Sequence, residues 1–127
     1  MSEFVMALTT LPAKFDAVKL AEQLVNARVV ACVNVLPGVQ SVYIWEGQTE
    51  VSVEQQLLMK ATRAQVPALW AALQARHPYQ VPEFIVLPIL EGNPAYLGWL
   101  SKVALGEETA GRIKERAPRP KAGKREQ

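Results

Sequence analysis

Residues 31–47, ACVNVLPGVQSVYIWEG, decide the fold. Apolar side chains recur at close to every second position on both sides of Pro37-Gly38, which is the pattern of a half-buried strand. Proline has no N–H to give to a ladder, so Pro37 with Gly38 marks a bulge or bend in an otherwise continuous ribbon running from Val29 to Trp45. Glu46-Gly47-Gln48 is a tight turn, with the glycine supplying a positive φ. The chain then returns from about Thr49 to Thr62, with Leu57-Leu58-Met59 at the centre of the returning strand. The two halves form one long hairpin.

Working outward, Phe4 to Thr10 reads as a central strand, and Pro12 opens a helical stretch. Val18, Ala21, Leu24 and Val25 recur on one helix face, with Lys19, Glu22, Gln23 and Asn26 facing outward, which predicts a helix over Lys14 to Ala27. After the hairpin, two start signals compete for a second helix. Thr62 and Gln65 have capping-box spacing, whereas Pro67 suits a first helical position slightly later. Leu69, Trp70 and Leu73 give that helix its apolar face, and it ends before His77. Phe84 to Leu90 is a short apolar strand of the doubly buried kind. Asn93-Pro94 is an N-cap followed by proline, which starts a third helix running to about Val103. The fold class is therefore α+β: a ferredoxin-like β-α-β-β-α-β sandwich with a long β2–β3 hairpin and an extra C-terminal helix.

At 127 residues the chain has the size of one domain, expected over 1–111. From Arg112 onward seven Lys/Arg stand against two Glu, so the net +2 less a tail surplus of +5 leaves −3 on the first 111 residues. Residues 112–127 lack apolar periodicity and hold two prolines, the composition of a basic, disordered tail, which reads as a solubilising terminus or, alternatively, as a contact for nucleic acid or anionic lipid. A mildly acidic body does not suit nucleic acid. No apolar run approaches the roughly 18–20 residues that cross a bilayer, so no membrane partner is expected. The N-terminus shows no basic segment leading into a signal sequence, and a single cysteine fits a reducing compartment. The expected location is cytoplasmic.

The chain has one cysteine and one histidine. No Walker A sequence, dinucleotide glycine fingerprint or nucleophile elbow is present. Cys32 lies in the apolar strand run VVACVNV, where a thiol is a poor nucleophile. His77 opens the segment 77–83, HPYQVPE; Pro78 holds it extended and turns its ring away from the preceding helix. Neutral imidazole is the commonest metal ligand, but one histidine does not hold a transition metal tightly. The two prolines fix a rigid loop, and Tyr79 adds apolar area with a hydroxyl able to bond. Glu83 either bonds a partner or a cation, or is a solvated strand start. Trp45 is too bulky to leave exposed at a hairpin tip, so a neighbouring subunit is its natural cover.

The stretches ACVNVLPGVQSVYIWEG and HPYQVPE, with LPI at 87–89 and GNPAYLGWL at 92–100, resemble the CutA family of divalent-cation tolerance proteins, colinearly over about 3–105. That resemblance implies a PII-like homotrimer with a ferredoxin-like fold, a non-enzymatic role in divalent-ion tolerance, and no required cofactor. It also implies copper binding by a cysteine near the end of the first strand and a His-His pair before the PYQ segment. At those positions this chain carries Thr9 and Arg76-His77. The metal candidates are therefore His77 and Cys32, the latter also at a family position, and binding of copper or another divalent cation is expected to be weak. Two other readings stay open: a sensor of a small anionic metabolite bound between subunits, and a trimeric scaffold for another protein.

Overall fold

The computed structural model of the chain describes residues 3–107. The expected boundary at 111 and the basic tail 112–127 lie outside the described residues. The elements are β1 (Phe4–Pro12), α1 (Ala17–Asn26), β2 (Cys32–Trp45), β3 (Gln48–Thr62), a 3-10 turn (Arg63–Gln65), α2 (Val66–Arg76), β4 (Ile85–Pro88) and α3 (Pro94–Ala104). The four strands form one antiparallel sheet in the order β2-β3-β1-β4, the ferredoxin-like arrangement.

Sidedness follows from the register. Val5, Ala7, Thr9 and Leu11 of β1 face the same way as Leu57, Met59 and Ala61 of β3, and all are buried. Against them pack Leu20 and Leu24 of α1 and Leu69 and Leu73 of α2, which close the main core. Among the described residues the opposite sheet face is covered only at one end. There α3 brings Leu100 and Val103 against Ala31 and Phe4, and Tyr96 lies 5.7 Å from the Lys60 ammonium.

The bulge at Pro37-Gly38 has a consequence for the faces. From Leu36 to Val39, β2 advances three residues while β3 advances two, from Gln56 to Glu54. One extra residue in a period-two strand exchanges its faces. Val33 and Val35 meet the helix side before the bulge, and Val42 and Ile44 share that side after it, opposite Val51 and Thr49. Beyond Glu54, which pairs with Pro12, β1 has ended, and the hairpin continues as a two-stranded arm. It closes at Glu46-Gly47, where both φ angles are positive (50° and 80°), as a two-residue type I′ turn requires.

Several expectations are corrected. Pro12 ends β1 rather than opening a helix, and α1 starts after Asp16, whose side chain accepts the Lys19 N–H at 3.1 Å. Its buried stripe is Ala17, Leu20, Ala21 and Leu24, so Val18 is exposed. The strand expected from Val29 begins at Cys32, because Arg28 turns the chain with a positive φ of 63°. Cys32 is only half-buried. The last strand is Ile85–Pro88 rather than Phe84 to Leu90. It is covered on one face only, since Val86 packs on the core while Ile85 and Leu87 are exposed.

Both start signals before α2 prove real. The Gln65 side chain accepts the Thr62 N–H at 2.9 Å across the 3-10 turn, and Pro67 enters the first turn of the α-helix behind it. Asn93 caps α3, accepting from Ala95 N–H at 2.8 Å and Tyr96 N–H at 3.2 Å.

Gly38 has φ +75° and no atom within 4 Å of where a Cβ would stand. Replacing it with valine therefore costs backbone strain rather than a clash. Gly38→Val is expected to lower unfolding free energy by about 1–2 kcal/mol in urea titrations.

Candidate functional site

β4 pairs with β1 only over Val5 to Leu8, so among the described residues the outer edge of β1 from Thr9 to Pro12 has no strand beside it. A buried carbonyl without a partner is costly, and the loop between α2 and β4 supplies one. His77 leaves the last turn of α2 in an extended conformation, φ −74° and ψ 136°, as the following proline demands. Its ring reaches β1, where Nε2 lies 2.9 Å from the Thr10 carbonyl and 3.1 Å from Thr9 Oγ1. On the other side of the ring the Tyr79 N–H donates to Nδ1 at 3.1 Å.

These partners fix the tautomer. An amide only donates and a carbonyl only accepts, so Nδ1 is unprotonated and Nε2 carries the hydrogen, shared between Thr10 and Thr9. Thr9, fully buried, donates its own hydroxyl hydrogen to the Glu83 carbonyl at 2.7 Å. One hydroxyl thus joins both ends of the 77–83 loop to the sheet. In the middle of the loop, Tyr79 donates its hydroxyl to Glu54 Oε2 at 2.5 Å. Behind the loop, Phe84 and Trp70 pack ring on ring, with centroids 4.9 Å apart.

Burial sets the electrostatics here. Desolvation holds the His77 pKa below 6.5, against opposing contributions from the Thr10 hydrogen bond and the Glu54 charge. Desolvation and the neighbouring Glu54 both raise the Glu83 carboxyl above its ordinary range. The Tyr79 phenol is raised well beyond its ordinary value by burial, the bond to Glu54 and the charges of Glu54 and Tyr43.

The structure does not bring Cys32 and His77 together. Cys32 pairs with Lys60, whose neighbour on β1 is Met6, on the face opposite Thr9. Among the described residues no three His, Cys, Asp or Glu side chains stand close enough to hold a metal ion. Both His77 ring nitrogens are engaged, and Arg76 turns back to donate to the Ala72 carbonyl at 2.9 Å. The residues present at this loop do not form a ready metal site. Glu54 is the member of the cluster that the sequence did not reveal. Strand alternation places it on a face, but nothing local signals a phenol 25 residues away.

The CutA1 divalent ion tolerance protein family matches residues 5–103. The chain is 44% identical over 95 residues to a divalent-cation tolerance protein CutA of Thermus thermophilus, covering 75% of this chain and 92% of that one. Its fold superposes on CutA1 from Oryza sativa with a TM-score of 0.77 at 37% identity, covering 80% of this chain and 94% of the rice chain. A periplasmic divalent cation tolerance protein CutA from Archaeoglobus fulgidus gives 0.75 at 26% identity, covering 80% and 98%.

Because the folded His77 pKa is depressed, its neutral form contributes stability that is complete above pH 6.5 and is lost as pH falls through the folded value. Glu83, raised, acts with the opposite sign above 4.5. In a Glu83→Gln background, the urea midpoint is expected to fall as pH drops below 6.5. His77→Gln should flatten that slope, and urea titrations at several pH values check it.

Proposed function

The chain belongs to the CutA1 divalent ion tolerance family, and from that premise we propose that it acts as a non-enzymatic homotrimer in tolerance of divalent cations, copper among them, with assembly rather than tight coordination as its main property. The hairpin arm is the observation that carries this reading. On its helix-side face Val42, Ile44, Val51 and Val53 are 52–67% exposed, and Trp45 at the tip is 62% exposed. A two-stranded ribbon is marginal in water by itself, and an apolar stripe this continuous marks a surface for another protein. Among the described residues of the single chain, β2 also leaves its outer edge open. Beside it Val18, Ala21, Val25, Val33 and Val35 line a groove of about 330 Å³.

A second copy of the chain is the proposed cover. In solution the protein is expected to scatter light with three times the mass of one chain, and a stable monomer at micromolar concentration would sink this reading. A sensor of a small anionic metabolite bound between subunits is a weaker alternative, because at the 77–83 loop Glu54 and Glu83 bring two carboxyl groups that do not favour an anion. No helix among the described residues is long and apolar enough to cross a membrane. The cytoplasmic location expected above belongs to this reading; the Archaeoglobus relative is described as periplasmic.

Metal binding in this reading is weak. A cation taking His77 displaces the ring from Thr10 or from the Tyr79 amide, and protonation of the imidazole competes at low pH. Calorimetry with Cu(II) is expected to give a Kd of roughly micromolar or weaker, lost in His77→Ala, with no stoichiometric metal in protein purified without added salts. Arg76→His with Thr9→Cys should tighten it. Tight binding that survives His77→Ala would show that the cation binds elsewhere.

A further inference from the structure

We propose that Tyr79 is a positioning residue for assembly: by bonding Glu54 it fixes the hairpin arm against the body, so that the state of the 77–83 loop sets how the arm is presented. The proposal rests on the assembly reading above. Glu54 is the last β3 residue paired on both sides, with Pro12 of β1 and Val39 of β2. From Val53 to Gln48, β3 pairs with β2 alone. The register step between Leu36 and Val39 falls at the same level, and bulged strands bend and twist. The arm therefore pivots at Glu54, where backbone pairing by itself does not hold its angle.

The Glu54 side chain is well placed to hold it. Its residue is only 9% exposed, and a carboxyl group that buried needs a hydrogen-bond donor. The Tyr79 phenol is that donor, at 2.5 Å, from an element that belongs to the body. From Tyr79 the bonds continue without a break. Its amide binds His77 Nδ1, His77 Nε2 binds the Thr10 carbonyl and Thr9, and Thr9 binds the Glu83 carbonyl. The His77 and Tyr79 rings also pack, with centroids 5.1 Å apart. Any displacement of His77 from β1 is thereby passed to the pivot of the arm.

Tyr79→Phe keeps the ring and its packing and removes only the hydroxyl. Two measurements read the result: amide hydrogen exchange across residues 39–54 by mass spectrometry, and trimer dissociation on dilution. Arm exchange is expected to quicken about tenfold or more while amides of α2 and the Val5–Leu8 part of β1 keep wild-type rates, and the dissociation constant should rise by a similar factor. Glu54→Gln retains an acceptor for the phenol and should stay near wild type. Glu54→Leu should match Tyr79→Phe, and the double variant should be no worse than either. Unchanged arm exchange, faster exchange spread evenly over the sheet, or additive effects in the double variant would each overturn the proposal. Should the wild-type chain prove monomeric, the assembly reading fails, and arm exchange alone still decides the role of the Tyr79 hydroxyl.

Discussion

The structure depends on a mismatch of length within the sheet. β3 is 15 residues long and β1 only nine, so the central strand outruns its partner and must satisfy the rest of its backbone on one side alone. Everything distinctive follows from where that happens. Proximal to Glu54, four strands and two helices close a core around Leu57, Met59, Leu69 and Leu73. Distal to it, two strands stand free and present β-branched side chains to water. The extra residue at the bulge decides which side they occupy. A regular β2 would put Val42 and Ile44 on the face away from Val51 and Val53 and split the stripe in two. The bulge gathers all four on one face, so that the apolar area they expose is continuous.

The same shortness of strands creates the loop site. β4 covers only part of β1, and the exposed run of backbone beyond Leu8 is taken up by side chains instead of a ladder. This explains why the chain's one histidine is bonded at both nitrogens. The Thr10 carbonyl needs a donor, the Tyr79 amide needs an acceptor, and a neutral imidazole in a single tautomer serves both. A cation taking either ring nitrogen must offer more than the hydrogen bonding made there and the cost of leaving its partner unpaired, which is larger than the bond's own net worth. Structural use and coordination are in direct competition at His77, and the geometry favours the former.

Element type and order were legible in the sequence because each rested on a local rule. Pro37-Gly38 marked the bulge, Glu46-Gly47 the turn, Asn93 and Thr62 the caps. What was misread rested on partners far along the chain. Val18 fits an apolar helix period as well as Leu20 does, and only the placement of the sheet chooses between them. Val29 to Ala31 are as apolar as a strand, yet Arg28 turns the chain, and the Gln65 side chain holds its carbonyl from 37 residues away. At the site, His77 and Tyr79 stood out as a histidine and a tyrosine between prolines, whereas Glu54 was invisible because its partner lies in a different element. Thr9 was marked as the position of an absent ligand, and its hydroxyl joins the two ends of the loop.

That role for Thr9 bears on how a member of this family can lack two of the three ligands its resemblance implies and still form the loop. A metal ion at the junction of β1 and the 77–83 segment would draw the two together by coordination. Here a buried threonine and one imidazole tautomer do so by hydrogen bonds that require no ion. The same bonds lead through the Tyr79 amide to the Tyr79 hydroxyl and its bond to Glu54 at the pivot of the arm. A cation taking His77 must displace bonds already made, and the Tyr79 amide that bonds Nδ1 belongs to the residue whose hydroxyl reaches Glu54. For a ligand that binds in this way, differential affinity for two arrangements of the loop, not total affinity, would set the shift between them.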